Sequence, residues 1–297
     1  MAVLQNYYQY LYSCPILELR GYAAACRLQG QLYAYLDFGG ATGTAKDGLA
    51  EGMLALASKR GELKPGQTVV EASAGSFGIA LTVAGLHSGH PVTLIVPAGI
   101  SSRQQHQLEE LGAKLIFSSS KEGRVGQIAL ARRMAAECGG YFMNYFGSDD
   151  NPEYHRRITG PAILKNCPGL DAIVAGVGSG GTITGVGEYA RAWDNHIRMV
   201  AVEPYESQAI GGGFLGSHSI PGLGAGFVPE NYNPYVVDSV MAVTSADAAR
   251  TARQVLRTDA VPACVSGGAA LYAARRLLEE EKARKVLCII SGRQVYE

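Results

Sequence analysis

From Gln31 onward the chain alternates short runs of β-branched and apolar residues with longer stretches of helical periodicity, a pattern that confines it to parallel-sheet α/β architecture. LYAYLDF, TVVEAS, VTLIVPA and KLIFSS read as strands. Between them, helices are expected over Asp47 to Lys59, Phe77 to His87 and Ser101 to Leu111. Ser101 with Gln104 three positions on makes a candidate capping box, and Gly112 ends that helix. A longer helix from about Glu122 to Cys138 and a short strand at Tyr141 to Asn144 follow. GSDDNPEYH then offers turn-forming residues ahead of Pro152 and is the candidate crossing between domains. A second α/β series opens with a helix over Tyr154 to Lys165, continues through AIVAGVGSGG and a strand ending at Glu203, and closes with the buried strand KVLCII. Between Ser207 and Tyr235 lies a long glycine-rich segment without periodicity, of a length that compact domains reserve for function or leave disordered. No internal repeat or low-complexity tract interrupts the series.

A chain of 297 residues with 47% hydrophobic content can build two domains with substantial cores. Its 26 basic and 26 acidic side chains balance, so nothing argues globally for nucleic acid or an anionic membrane as partner. The six cysteines, Cys14, Cys26, Cys138, Cys167, Cys264 and Cys288, have neither CxxC spacing nor a regular framework and read as reduced thiols of a cytoplasmic protein. MAVLQNYYQYLYSC lacks the basic and apolar regions of a signal peptide, and no apolar run reaches membrane-spanning length, so a soluble, unprocessed protein is expected. The tyrosine cluster Tyr7, Tyr8, Tyr10 and Tyr12 suits a core cover or a subunit interface.

Within AIVAGVGSGGTITGVG, a buried strand from Ala172 to Ala175 runs into four glycines and then a helix opened by Thr182 and Thr184. Backbone N–H groups unshielded by Cβ atoms, at the positive end of a helix, make an anion site. Gly176, Gly178 and Gly181 also satisfy GxGxxG, and Glu203 follows at the distance of a ribose ligand, so a nicotinamide or flavin competes with other phosphate cofactors. A third reading is that the glycines serve only close packing of helix on strand.

Three further segments bear on chemistry. ATGTAKDG puts Lys46 where a glycine turn meets a helix, either as a reactive amine or as a solvated helix-start residue; Asp47 after the lysine excludes a P-loop. EASAGSFGIAL repeats the strand, turn and helix order, so Gly75 to Gly78 form a second anion turn or a plain helix cap. CVSGGAALYAA sets Ser266 ahead of a small-residue helix, where an N-cap is the simple alternative. No serine lies in GxSxG, since Val177, Ala74 and Cys264 occupy the first glycine position, and the histidines show no HExxH. His87 and His90 suit a helix end better than a metal.

A lysine before a helix, two anion turns and a late serine, in this order and spacing, resemble the tryptophan-synthase-type (fold type II) pyridoxal-phosphate enzymes, most closely their cysteine synthase (O-acetylserine sulfhydrylase) branch. The resemblance spans nearly the whole chain. GTAKDGLAEGM is similar to the segment around the Schiff-base lysine, which implies Lys46. GVGSGGTITGVG is similar to the phosphate cup, which implies Gly178, Ser179, Gly180, Gly181 and Thr182. HSIPGLGAGFVP resembles the glycine-rich loop lining the cofactor face, which implies Gly222, Gly224 and Ala225 as substrate-binding residues, and VSGGAA puts Ser266 where the partner of the pyridine nitrogen stands. FGSDDNPEYHRRITGPAI and SGRQVY also fit. The resemblance implies two α/β domains, each a mainly parallel twisted sheet flanked by helices, with the cofactor in the cleft between them. The smaller domain spans residues 36–148 and carries the substrate-carboxylate loop; residues 1–35 pack with 149–297. A homodimer is implied as well.

The same resemblance implies pyridoxal 5'-phosphate as cofactor, a small amino acid as substrate and a small nucleophile as second substrate. Lys46 takes the substrate Cα proton, a β-substituent leaves, and a nucleophile such as sulfide adds. Cysteine synthesis from O-acetylserine is the leading assignment. A β-elimination lyase, of the cysteine desulfhydrase or serine/threonine dehydratase kind, is the alternative, together with a diverged β-substituted-alanine synthase and a catalytically silent homologue. A neutral serine at the ring nitrogen suits β-elimination better than transamination. The chain departs from the family at the carboxylate loop, usually TSGNTG, where it has Ser73, Ala74, Gly75, Ser76, Phe77 and Gly78. Ser76 stands for the asparagine at the cofactor's ring hydroxyl, and Tyr145 stands about where a carboxylate-binding glutamine is usual.

Overall fold

The computed structural model describes residues 7–119, 121 and 123–294. In chain order the elements begin α1 (Tyr7–Leu11), β1 (Ile16–Glu18), α2 (Arg20–Ala25), β2 (Gln31–Leu36), α3 (Lys46–Lys59), β3 (Val69–Glu71), α4 (Ser76–Ser88) and β4 (Val92–Pro97). Next come α5 (Ser102–Glu110), β5 (Lys114–Ser118), α6 (Gly123–Cys138), β6 (Tyr141–Phe142), α7 (Asp150–Tyr154), a π-helical turn (His155–Thr159) and α8 (Gly160–Asn166). The chain closes with β7 (Ala172–Gly176), α9 (Gly181–Trp193), β8 (Arg198–Pro204), a 3-10 turn (Pro234–Val236), β9 (Ser239–Val243), α10 (Ser245–Asp259), α11 (Val265–Glu279) and β10 (Lys285–Ile290).

Two compact units result. The first takes the chain up to residue 39, residues 43–45 and the chain from residue 151 on; the second takes residues 40–42 and 46–150. The first unit holds a six-stranded sheet in the order β1-β2-β10-β7-β8-β9, parallel except for β1 against β2. Its strands read as nearly continuous apolar runs because both faces are covered. Val174, Val200, Val202, Val286, Cys288 and Ile290 pack with Ala269, Ala270, Ala273, Ala274 and Leu277 of α11. The alternate residues Ile173, Ala175, Met199, Ala201, Leu287 and Ile289 pack with Ile163 of α8 and Ile183, Val186 and Ala190 of α9. Each Val, Leu, Ile or Met among them contributes about 1.5–3 kcal/mol when fully buried. The second unit holds a four-stranded parallel sheet, β5-β4-β3-β6, with Val70, Ala72 and Ile95 packed on Ala131 and Ala135 of α6.

Several expected elements differ in detail. The helix expected over Tyr154 to Lys165 starts at Asp150 and is interrupted by the π turn. Pro152 falls in its first turn, where no N–H is needed; Pro161 supplies none to the next turn, and Gly160 instead donates to the His155 carbonyl five residues back. The strand expected to reach Asn144 stops at Phe142, as Asn144 turns left-handed at φ 54°, a conformation asparagine tolerates. Ser101 caps α5 by accepting from the Gln104 N–H at 3.3 Å, and its hydroxyl also donates to Gln104 Oε1 at 2.8 Å. The segment from Ser207 to Tyr235 has no regular structure until the 3-10 turn begins at Pro234. Tyr12 meets Tyr154 at 6.1 Å between ring centroids, while Tyr10 is half-exposed. The side chains of Tyr7 and Tyr8, the helix start at Glu122 and the end of SGRQVY lie outside the described residues. All six cysteines are free thiols.

Candidate active site

The phosphate-binding candidates lie where β7 gives way to α9. Gly180 is left-handed at φ 84°, and a Cβ there would stand 2.8 Å from the backbone nitrogen of Tyr232. A Cβ on Gly178 would collide with the carbonyl oxygen of Gly222. The turn thus admits no side chains at these two positions and leads directly into the N-terminus of a 13-residue helix. The first N–H groups of such a helix have no partner within it, and its dipole favours an anion. Ser179 and Thr182 add hydroxyls, and both are held from behind. Asn151 Nδ2 donates to Ser179 Oγ at 3.0 Å; His155 Nε2 lies 3.1 Å from Thr182 Oγ1, and its Nδ1 lies 2.8 Å from Thr159 Oγ1.

The glycine-rich loop packs against this turn, with the Gly224 N–H donating to the Val177 carbonyl at 3.0 Å. His218 steadies it, since its Nδ1 accepts from the Ile220 N–H at 3.2 Å and its Nε2 stands 3.3 Å from the Gly224 carbonyl. Ala225 follows, half-buried. Gly178→Ala is accordingly expected to push the Gly222 to Ala225 loop away, at an overpacking cost of about 1–3 kcal/mol in unfolding free energy. Unchanged stability in a denaturant titration would show that the two backbones can separate freely.

Glu203 is no ribose ligand. Its buried carboxylate accepts from the N–H groups of Ile210 and Gly211 at 3.0 and 2.9 Å and so ties down the start of the long loop. Burial raises its pKa above the usual carboxylate range, and the two N–H donors oppose that. Ser266 is not the N-cap of α11 either. That position belongs to Cys264, and Ser266 is the second helical residue, buried, with its hydroxyl 3.0 Å from Cys264 Sγ. The helix start is pinned by the Cys264 N–H to the carbonyl of Gly292. The 43–45 tripeptide is pinned to the same terminal segment, since Ala45 N–H donates to Ser291 and Arg293 N–H to Gly43.

Lys46, the next residue, opens α3 in the second unit. Asp47 holds that helix start by accepting from the Thr42 N–H and from the Thr42 hydroxyl at 2.6 Å. An acidic side chain there is also favoured by the helix dipole. The Lys46 ammonium lies 5.7 Å from the centroid of the Tyr145 ring, within cation–π range. Tyr145 stacks on Phe77 at 4.1 Å and meets Phe146 edge-on at 4.8 Å. Lys46, Phe77 and Tyr145 therefore come together, with an aromatic wall in the place where the sequence resemblance implies polar carboxylate ligands.

In the same unit, Gly75 stands at the N-cap of α4 in extended conformation, with open space where a Cβ would be. Ser73 Oγ accepts from the Gly78 N–H at 2.9 Å, which spends one donor of the turn on the loop itself; Ala74 lies between them and Ser76 begins the helix.

Glu71, Asn151 and His155 are buried polar residues beside these turns that the sequence reading passed over. Glu71 ends β3 immediately before the Ser73 to Gly78 turn. Its carboxylate accepts from the N–H groups of Tyr145 at 2.9 Å and Ala72 at 2.7 Å, and burial pushes its pKa up to about 7. The available signals were an acid closing an apolar strand and an Asn/His pair at i, i+4 spacing. Among the described residues no cluster of His, Cys, Asp or Glu could hold a metal ion.

N–H groups and hydroxyls at a helix start suit a phosphate monoester, and a primary amine suits a carbonyl. The chain belongs to the pyridoxal-phosphate dependent enzyme family, whose sequence pattern matches residues 9–292. It is similar to the cysteine synthase of Staphylococcus aureus, 32% identical over 290 residues that cover 97% of this chain and 93% of the relative. Cysteine synthase A of Escherichia coli K12 is 35% identical over 263 residues, covering 85% of this chain and 81% of the relative. The crystal structure of the Entamoeba histolytica cysteine synthase superposes with a TM-score of 0.91 at 31% identity, covering 98% of this chain and 88% of that one.

Proposed function

We propose that the protein makes cysteine by pyridoxal-phosphate-dependent β-replacement on an O-activated serine, O-acetylserine, with sulfide as nucleophile. The observation that carries this reading is the likeness to cysteine synthases over nearly the full length of the chain, with Lys46 at a helix start beside the carboxylate turn of its own unit. Bound in this protein, pyridoxal phosphate supplies an aldehyde for an amine and a ring that withdraws electrons from the substrate Cα. Gly178, Ser179, Gly180, Gly181 and Thr182 would hold its phosphate and Lys46 its aldehyde; Ser266 would serve the ring nitrogen as a neutral partner and Ser76 the ring hydroxyl. Gly222, Gly224 and Ala225 would border the substrate from the loop along the cofactor face.

Ser73, Ala74, Gly75, Ser76 and Phe77 receive the substrate carboxylate chiefly through backbone N–H groups at the start of α4. The stacked pair of Tyr145 and Phe77 would border the substrate as an apolar wall. The Lys46 amine would take the proton from the substrate Cα and later return it there, while acetate would leave Cβ and hydrosulfide would add in its place.

The reading extends to a cytoplasmic homodimer acting on small molecules. Six free thiols support a reducing compartment, and no described helix is long and apolar enough to cross a membrane. An absorption spectrum of the purified protein tests the function. A cofactor band is expected, changed by O-acetylserine and restored by sulfide with release of cysteine. A protein that stays colourless when supplied with pyridoxal phosphate would overturn it.

A further inference from the structure

The two hydroxyls of the anion turn are each approached from behind by one short helical segment. Asn151 and His155 stand one turn apart, at i, i+4 spacing, across the junction of α7 and the π turn, and are 0% and 1% exposed. Their polar ends reach Ser179 Oγ and Thr182 Oγ1. A hydroxyl has one proton and two lone pairs, so what stands behind it decides whether its proton is available in front. The Asn151 amide nitrogen can only donate, so Ser179 Oγ accepts there and keeps its own proton to give elsewhere.

His155 does the same for Thr182 when Nε2 carries the ring proton, and the Thr159 hydroxyl at Nδ1 can donate to hold that tautomer. With the opposite tautomer Thr182 would turn its proton into the ring and present only lone pairs. α9 is seated closely on this segment, since a Cβ on Gly181 would strike the Asn151 side chain and one on Gly185 would strike the carbonyl of Pro152.

We propose that Asn151 and His155 are positioning residues that set the polarity of the cup, making Ser179 and Thr182 donors toward a phosphate dianion. The proposal rests on the reading of Gly178 to Thr182 as the phosphate site. Neither residue touches the ligand; each acts through a hydroxyl. Charge-assisted hydrogen bonds are among the stronger ones, so losing one is expected to weaken phosphate binding at least roughly tenfold.

The test is binding of pyridoxal 5'-phosphate and of pyridoxal, which lacks the phosphate, to the full chain freed of cofactor, compared as a ratio of affinities. Thr182→Val is the reference and is expected to lower the ratio at least roughly tenfold. His155→Asn keeps a polar group only at the Nδ1 position and is expected to lower the ratio similarly; His155→Gln restores a donor at the Nε2 position and is expected to recover most of it. Asn151→Asp, of the same shape but without the donor, is expected to act like His155→Asn through Ser179 and serves if that variant does not fold. Equal losses for both ligands in the His155 and Asn151 variants would mark these residues as merely structural and overturn the proposal. An unchanged ratio in those variants, with Thr182→Val still deficient, would overturn it and leave the phosphate site standing. An unchanged ratio in Thr182→Val would remove the phosphate site itself, and the proposal with it.

Discussion

Replacing Lys46 with alanine is expected to abolish turnover while leaving the fold and part of the cofactor affinity in place. The proposed reaction uses this amine twice, as the group that holds the cofactor carbon and as the base at Cα. Proton transfer by a positioned side chain alone is worth ~10²–10⁴-fold, and loss of covalent attachment adds to that. The fold should survive because α3 is held at its start by Asp47 and Thr42, not by the lysine. Alanine is also the best helix former, and the buried residues Leu49, Ala50, Met53 and Leu54 are untouched. Part of the cofactor affinity should survive because the proposed phosphate residues Gly178 to Thr182 are untouched by the substitution. The measurements are single-turnover release of acetate, thermal unfolding and cofactor affinity. Undiminished turnover would remove Lys46 from the mechanism.

Glu71 is expected to make stability depend on pH through the neutral range. Burial raises its folded-state pKa to about 7, above the 4.5 of a free side chain. The folded state therefore binds the proton more tightly than the unfolded one. The stabilisation linked to that proton is complete below the unfolded pKa and is lost as pH rises through the folded one. Between about pH 5 and pH 8 the loss is roughly 2–3 kcal/mol. Glu71→Gln is neutral throughout, so denaturant titrations of the two proteins should show the wild type losing this amount relative to the variant over that interval. A constant difference across the range would refute the assignment. Because the Glu71 carboxylate holds the Tyr145 backbone, the same variant should also disturb the stack of Tyr145 on Phe77, visible in near-ultraviolet circular dichroism.

The parallel sheets were legible because AIVAG, MVAVE and KVLCII are apolar on both faces, which only strands covered on both sides require. The helix starts at Lys46 and Gly181 were legible to within one residue, expected at Asp47 and Thr182, because glycines punctuate the chain locally. The interruption of the helix after Asp150 was not, because a π turn arises from the seating of α9 on it and from two prolines whose effect depends on register. Nor was Glu203, whose spacing after GxGxxG resembles a ribose ligand and whose carboxylate in fact ties down Ile210 and Gly211.

By itself the sequence determined the α/β class and the strand, turn and helix order at the anion sites, since each depends on neighbours within a few positions; the candidates Lys46, Gly178 to Thr182 and Ser266 rested on the family resemblance that the order and spacing of their motifs carry. Only the tertiary structure decided which groups meet across long separations: Lys46 with Tyr145, Phe77 with Tyr145, Glu71 with the Tyr145 N–H, and Asn151 and His155 with Ser179 and Thr182. Those pairs join residues from 27 to 99 positions apart, taking Thr182 from His155 and Tyr145 from Lys46. Local propensity carries no information about such partners; burial forces each polar group to find one, and the packing of sheets and helices selects which.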